Sequence, residues 1–454
     1  MTEPMFPVVD PESFSLVDRF VQVNRVDPAF YESSAVKRGL RNDDGTGVVA
    51  GVTNISNVHG YVISDGDRRP DQGRLIYRGY DICDLLAPAD GRRHCFEEIA
   101  YLLLMGELPT TDELAGFIEA LDAQRELPDG FTAHYIMNPA TPDVMNCLGR
   151  SILMFYADDA AAEDRSPTHE IAAAVSLLSR LPRIAVLAYY AKQAVFNHDS
   201  MIMHRFIPGQ STAETILSML RLDRQFSPEE ARMLDVMLAL HAEHGGGNNS
   251  TFTVRALTSA DTDPYSAYAA GIGALKGTRH GGANAKVLQQ QRDIRENVAN
   301  WDDDDEIAAY LAKLIRKEAF DKSGLIYGMG HAVYTLSDPR ALICKRFATD
   351  LAAGSEFEAE LRLLQSVERL TPVVFAEVKG VDKVISANID LYSGFVYRML
   401  GIPEDMFTPL FACARMAGWA AHRFEEIVSG KRIIRPAYKS TSAARPYLPI
   451  GERR

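Results

Sequence analysis

The sequence predicts an all-α fold with at most a short β-hairpin near its N-terminus. Three observations predict it. Helix-start pairs recur in its second half, at Ser227-Pro228, Asp263-Pro264 and Thr408-Pro409. Apolar residues return after them at spacings of three and four. Runs rich in Val, Ile and Gly that could form strands are confined to the region before residue 80. Hydrophobic residues at 46 % and charged residues at 24 % are ordinary globular values, which excludes a disordered or fibrous chain. A chain of 454 residues has room for one large domain and a smaller companion.

Taken in order, residues 1–70 are irregular and carry many turn formers. Within them, 48–63 reads as a short hairpin, and 73–78 as a further strand. Residues 172–192 form a long apolar helix, bent at Pro182. Ser227-Pro228-Glu229-Glu230 is a capping box with Pro in the first turn. Met233, Leu234, Met237, Leu238 and Leu240 continue that helix until Gly245-Gly246-Gly247 stops it, which places His241 and His244 in its last turn. Asp263-Pro264 opens an Ala-rich helix. The acidic run 302–306 is expected to be a solvated helix start, since a calcium loop needs oxygen ligands at alternate positions and a turn Gly. Thr408-Pro409 opens a helix with Phe411, Arg415, Trp419 and His422 on one face.

Lys plus Arg number 48 and Asp plus Glu 61, a net charge of −13. So acidic a chain is a poor general binder of nucleic acid, and an anionic ligand would need positive charge concentrated locally. The longest apolar runs, such as 184–191, fall short of the roughly 20 residues a bilayer requires, so no membrane partner is expected. Five cysteines without a CxxC pair point to a reducing compartment. The first ten residues carry Glu3 and Asp10 and lack the basic and apolar regions of a secretory signal, so a soluble cytoplasmic protein is expected.

Four segments gather reactive side chains among glycines. They are HAEHGGGNNS (241–250), KGTRHGGAN (276–284), GMGHAVYTLSDPR (328–340) and NIDLYSG (388–394). His241 and His244 stand three apart rather than in HExxH, which argues against zinc. GIGALKG (271–277) lacks GxGxxG spacing and follows a helical run, so it is no dinucleotide loop. Neither a GxxxxGK[ST] phosphate loop nor a GxSxG elbow occurs. Singly, each histidine reads as a hydrogen-bonded structural residue. Together, glycine-flanked His280 and His331, Asp390 beside Ser-Gly at a loop or helix end, and Arg340, Arg415 and Arg435 suggest proton chemistry on a carboxylate-bearing substrate. These residues leave open a condensing enzyme, a decarboxylase and a lyase.

The four segments, in this order, resemble the active-site motifs of the citrate synthase family, Si type. FACARMAGWAAHRFE and the later IIRP are similar to its C-terminal arginine segments, and LIYRGYDICDLL (75–86) and FEEIAYLLLMGELPT (96–110) also resemble it. The resemblance runs from about residue 74 to the C-terminus. It implies a two-domain helical subunit, with a large domain from 1–284 and 387–454 and a small CoA-binding domain from 285–386. It also implies a homodimer with shared active sites and a condensation of acetyl-CoA with oxaloacetate to citrate, with no metal and no redox cofactor.

Residue by residue, Asp390 resembles the base that deprotonates the acetyl methyl group. His280 resembles the residue that hydrogen-bonds the thioester oxygen, with Ser250 orienting it. His331 resembles the imidazole that protonates the oxaloacetate carbonyl, and His244 a further oxaloacetate ligand. Arg340 and Arg415 resemble the carboxylate clamps, and Arg435 the one supplied by the neighbouring subunit. Leu325, Gly328 and Gly330 lie in the segment similar to the CoA adenine loop, and Lys383 is placed to reach the CoA phosphates. His241 resembles a structural helix-end histidine. Two positions depart: Ala332 where many bacterial members carry Arg, and Thr335 where members carry a basic residue near those phosphates, with Lys345, Arg346 or Lys383 as candidates to compensate. Three other functions share the motif pattern: a 2-methylcitrate synthase using propionyl-CoA, a citrate-cleaving lyase, and a retired scaffold. A scaffold is expected to have lost Asp390 or a histidine, and all are present. The glycine-rich motifs mark the hinge of a domain closure that oxaloacetate favours.

Overall fold

The computed structural model describes residues 17–87, 93–381 and 384–453. The chain divides into two compact units, residues 1–50 with 435–454 and residues 51–434. In the first unit the described residues form the short helices Val17–Val23 and Ala29–Ser33 and the one-turn helices Arg38–Leu40 and Ile450–Glu452.

Among the described residues, the second unit is helical apart from one antiparallel sheet, β1 (Ser56–Ser64), β2 (Asp67–Tyr77) and β3 (Tyr80–Asp81), in that order. The hairpin differs from the expectation. Residues 56–64 pair with 67–77 instead of folding back within 48–63, and 73–78 belongs to the second strand. The turn is Asp65-Gly66, with φ of 55° and 87°, a two-residue connection that suits the right-handed twist of the strands.

Helix Pro228–His241 starts as predicted, with Ser227 and Glu230 capping each other reciprocally. It ends sooner: His244 stands in the loop beyond the last turn. The Tyr77 hydroxyl captures the departing backbone, donating to the Glu243 carbonyl at 2.8 Å and accepting from the Glu243 N–H at 3.3 Å. Pro264–Lys276 and Asp304–Ile315 begin on the Asp263 and Asp303 caps. Helix Pro167–Phe196 extends the predicted one at both ends and continues through Pro182. Its length and composition would suffice to cross a bilayer, but 72 % of its most apolar window is buried in the protein, as in a core helix.

The main core forms around helix Phe407–Ser429, which packs on Cys95–Met105, Pro167–Phe196, Pro228–His241 and Asn249–Thr258. Trp419, at 0 % exposure, sits at its centre. Each such side chain contributes about 1.5–3 kcal/mol of transfer free energy. A second, smaller core joins Asp304–Ile315 to Glu358–Lys379 through Ile307, Leu311, Leu314, Leu363, Val367 and Val374.

Candidate active site

The third and fourth motifs form one structure. The Gly330 N–H donates to the Ser386 carbonyl at 2.7 Å and the Asn388 N–H to the Gly328 carbonyl at 2.9 Å. The Asn388 side-chain amide donates to the Gly330 carbonyl at 2.8 Å, and its oxygen accepts the Asp390 N–H at 2.9 Å. Asp390 is the first residue of helix Asp390–Met399, where the sequence leaves a loop or a helix end open. The signal was ambiguous because Ser393-Gly394, which reads as a stop, continues this helix past its first turn, packed on Asn284 and Leu288. Burial pushes the Asp390 carboxyl up to about 6, against the pull of Arg340. Its carboxylate is thereby a stronger base than an ordinary one.

His331 accepts at Nδ1 from the backbone N–H groups of Val333 (3.0 Å) and Tyr334 (3.1 Å). A neutral ring so held carries its proton on Nε2. Its ring stands perpendicular to that of His244, with centroids 5.3 Å apart. Burial first, then Arg340 and His331, hold His244 well below the usual histidine range. His280 accepts at Nε2 from the Ser250 backbone N–H at 3.3 Å, and the Ser250 hydroxyl lies 3.0 Å from the same nitrogen. The neutral tautomer this selects has its proton on Nδ1. Trp419 Nε1 donates to that hydroxyl at 3.2 Å, which ties the pair to the main core. Burial, with Arg415, lowers His280 to about 4, so the ring is neutral near pH 7.

Of the three predicted arginines, two lie in this region. Arg340 gives Nε and Nη2 to Asp338 at 3.1 and 2.7 Å, which fixes its plane and leaves Nη1 outside the pair. Arg415, 1 % exposed, donates Nε to the His241 carbonyl at 2.7 Å, while its buried Nη2 has no partner. Burial lowers the Arg415 guanidinium to about 10, with Glu243 opposing. A buried, uncommitted guanidinium nitrogen fits a carboxylate ligand. His241 is structural: it is 3 % exposed and lies 2.7 Å from the Met237 carbonyl through Nδ1. Arg435 belongs to the other unit.

Of the expected CoA contacts, Leu325 is 56 % exposed, and Gly328 and Gly330 hold φ of 85° and 87°. Lys383 lies outside the described residues. Buried Gln290, which the sequence did not single out, holds this loop by donating to the Leu325 carbonyl at 2.9 Å and accepting from the Tyr327 N–H at 2.7 Å. Lys345 is paired with Glu368 at 2.7 Å, and Arg346 donates to the Leu86 carbonyl at 3.2 Å. Thr335 accepts the Asp71 N–H at 3.0 Å and donates to the Gly60 carbonyl, so its hydroxyl serves the hairpin.

Sequence reasoning also missed Glu243, Asn388 and Tyr334, all inside or beside the motifs. It placed Trp419 and His422 on one helix face with Arg415, and that face does meet the site. Among the described residues, no three His, Cys, Asp or Glu side chains are grouped as metal ligands would be.

Residues 42–437 match the family model described as citrate synthase, C-terminal domain. The chain is 35 % identical to the citrate synthase of Acidithiobacillus ferridurans over 421 residues, covering 90 % of this chain and 97 % of that protein. It is 33 % identical to the 2-methylcitrate synthase of Shewanella oneidensis, covering 84 % of this chain and 92 % of that one. Among solved structures, it resembles the citrate synthase of Thermoplasma acidophilum in ternary complex with carboxymethyl coenzyme A and oxaloacetate. That similarity has a TM-score of 0.74 at 27 % identity, covering 92 % of this chain and 99 % of that one. The Pyrobaculum aerophilum citrate synthase gives 0.72 at 28 %, covering 89 % and 94 %.

Proposed function

The chain belongs to the citrate synthase family, and we propose that it condenses acetyl-CoA with oxaloacetate and hydrolyses the resulting citryl-CoA to citrate and CoA. The observation that carries this is Arg415, a buried guanidinium with an unpartnered nitrogen, within electrostatic reach of the neutral imidazoles of His244 and His280. Such a pocket suits a small carboxylate whose reaction needs hydrogen-bond donors more than free protons.

Asp390 takes a proton from the acetyl methyl group while the Nδ1–H of His280 hydrogen-bonds the thioester oxygen and stabilises the forming enol. The enol carbon adds to the oxaloacetate ketone, and the Nε2–H of His331 protonates the oxygen as the carbon–carbon bond forms. Arg340, Arg415, His244 and the partner subunit's Arg435 hold the carboxylates. Water then cleaves the thioester and releases CoA. Positioning both reactants lowers the barrier by roughly 7–11 kcal/mol. No resident metal or redox cofactor enters this scheme. The segment around Leu325, Gly328 and Gly330 receives the CoA adenine and Lys383 approaches its phosphates. The 285–386 region closes after oxaloacetate binds, and its separate small core supports treating it as a lobe. The protein works as a homodimer in the cytoplasm, a setting consistent with five cysteines that include no CxxC pair.

The Shewanella relative supports a second reading, 2-methylcitrate synthesis from propionyl-CoA. One methyl group separates the two acyl donors, worth about 1–3 kcal/mol of discrimination. The test is thiol release from purified protein with oxaloacetate and either acyl-CoA. Preference for acetyl-CoA supports citrate synthesis, preference for propionyl-CoA supports the second reading, and no release with either defeats both.

A further inference from the structure

The third motif rests on an interruption in the N-terminal hairpin. The ladder of β1 and β2 is regular up to His59 opposite Arg74 and resumes at Tyr61 opposite Pro70. Gly60 therefore faces three residues, Asp71, Gln72 and Gly73, and the backbone groups released by this bulge are free to bond elsewhere. They bond the loop after His331. Thr335 donates to the Gly60 carbonyl, and the Asp71 N–H donates to Thr335 at 3.0 Å. The Gly73 N–H donates to the Ser337 hydroxyl at 3.1 Å, which donates in turn to Gln72 at 2.8 Å. Arg68 Nη2 reaches the carbonyls of Ala332 and Val333, both at 3.4 Å.

The contact is close because two of the hairpin residues are glycines. A Cβ at Gly60 would stand 2.6 Å from Tyr334 Cα, and one at Gly73 would stand 2.0 Å from the Ser337 carbonyl oxygen and 2.9 Å from the Tyr334 ring. Tyr334 is the residue seated there, 2 % exposed. It touches three residues of the oxaloacetate site at once. Its hydroxyl lies 3.2 Å from His244 Nε2. Its ring centroid is 4.7 Å from that of His331, whose Nδ1 accepts its backbone N–H. The Arg340 guanidinium carbon stands 5.5 Å from the same ring centroid.

We infer that Tyr334 is a positioning residue for oxaloacetate, and that the bulged hairpin is the template that seats it against His244, His331 and Arg340. This rests on the reading of these residues as the oxaloacetate site. A side chain that fixes two imidazoles and a guanidinium affects the affinity for the keto acid more than that for the acyl-CoA.

The test is titration calorimetry of oxaloacetate into the full-length protein, with thiol-release kinetics alongside, for wild type, Tyr334→Phe and Gly73→Ala. Tyr334→Phe keeps the ring and removes the hydroxyl. It is expected to fold as wild type, to weaken oxaloacetate binding by about tenfold, and to leave the KM for acetyl-CoA within about twofold. Gly73→Ala displaces the loop and is expected to lower kcat as well. If Gly73→Ala fails to fold, Tyr334→Phe alone decides. Wild-type oxaloacetate affinity in Tyr334→Phe would overturn the inference. Oxaloacetate binding by wild type without thiol release would defeat the proposed reaction but leave the inference standing if Tyr334→Phe binds more weakly. No oxaloacetate binding by wild type would overturn both.

Discussion

His422 Nε2 lies 2.9 Å from Glu243 Oε1, with both side chains at 0 % exposure. Arg255 Nη1 donates to the other ring nitrogen of His422 at 2.9 Å. An imidazole that accepts from a guanidinium at Nδ1 is neutral and must carry its proton on Nε2, so it donates to Glu243. Burial opposes ionisation of Glu243, but the hydrogen bond from His422 and the charge of Arg415 outweigh it and hold the carboxyl below the usual carboxylate range. Glu243 thus balances the charge of Arg415 from inside the core.

Glu243→Gln removes that balance and leaves Arg415 as an uncompensated buried cation. The expected loss of stability is about 3–5 kcal/mol in urea unfolding. Because His422 acts through Glu243, the double variant with His422→Gln is expected to lose less than the sum of the singles.

Asp390→Asn is expected to lower kcat by about 10²–10⁴ with little change in oxaloacetate affinity. In the wild type the base must be ionised, so kcat/KM should rise with pH and level off above about 6. His280, lowered to about 4, is already neutral across that range and adds no limb there. A profile flat from pH 5 to 7 would contradict the assignment of Asp390 as the base.

His280→Ala removes the donor to the thioester oxygen and should cost about 10²–10³ in kcat. Ser250→Ala leaves the backbone N–H on His280 but removes the hydroxyl shared with Trp419, so a smaller loss of about tenfold is expected. Equal losses in steady-state assays would mean that the hydroxyl does more than orient the ring.

Arg415→Lys keeps a charge but loses the planar fork, whose Nε is committed to the His241 carbonyl. Loss of a charge-assisted hydrogen bond of about 1.5–3 kcal/mol corresponds to a rise of roughly 10- to 100-fold in the oxaloacetate KM. The KM for acetyl-CoA serves as the internal control.

His241 provides a pH test of stability. Burial lowers it from 6.5 to about 3, so the folded state resists protonation that the unfolded chain accepts. Its contribution is fully present above pH 6.5 and is lost progressively as the pH falls towards 3. His241→Gln should flatten that part of the urea-derived stability profile.

Much of this protein was legible in its sequence. The capping box at Ser227, the Asp263-Pro264 start and the 3.6-residue periodicity of the apolar positions are local signals, and they specified the helices because each acts within one or two turns. The four motifs likewise nominated His280, His331 and Asp390, and the segment FACARMAGWAAHRFE nominated Arg415, because their order along the chain is itself the information. Where local signals competed, the sequence misled. Asp65-Gly66 outranked the Gly-rich stretch before it as the hairpin turn, since its positive φ at both positions matches strand twist.

Tertiary structure decided what depends on residues far apart in the chain. Tyr77 ends a helix by capturing the backbone of Glu243, and so moves His244 out into the site. Glu243 and His422 meet across 179 positions, and Thr335 meets Gly60 across 275. No local propensity encodes such pairings, because their energy comes from burial and from satisfying polar groups once the helices have packed. The sequence by itself set the helices and nominated the residues proposed for the chemistry. Packing determined their tautomers, their charges and the hairpin seat on which the third motif rests.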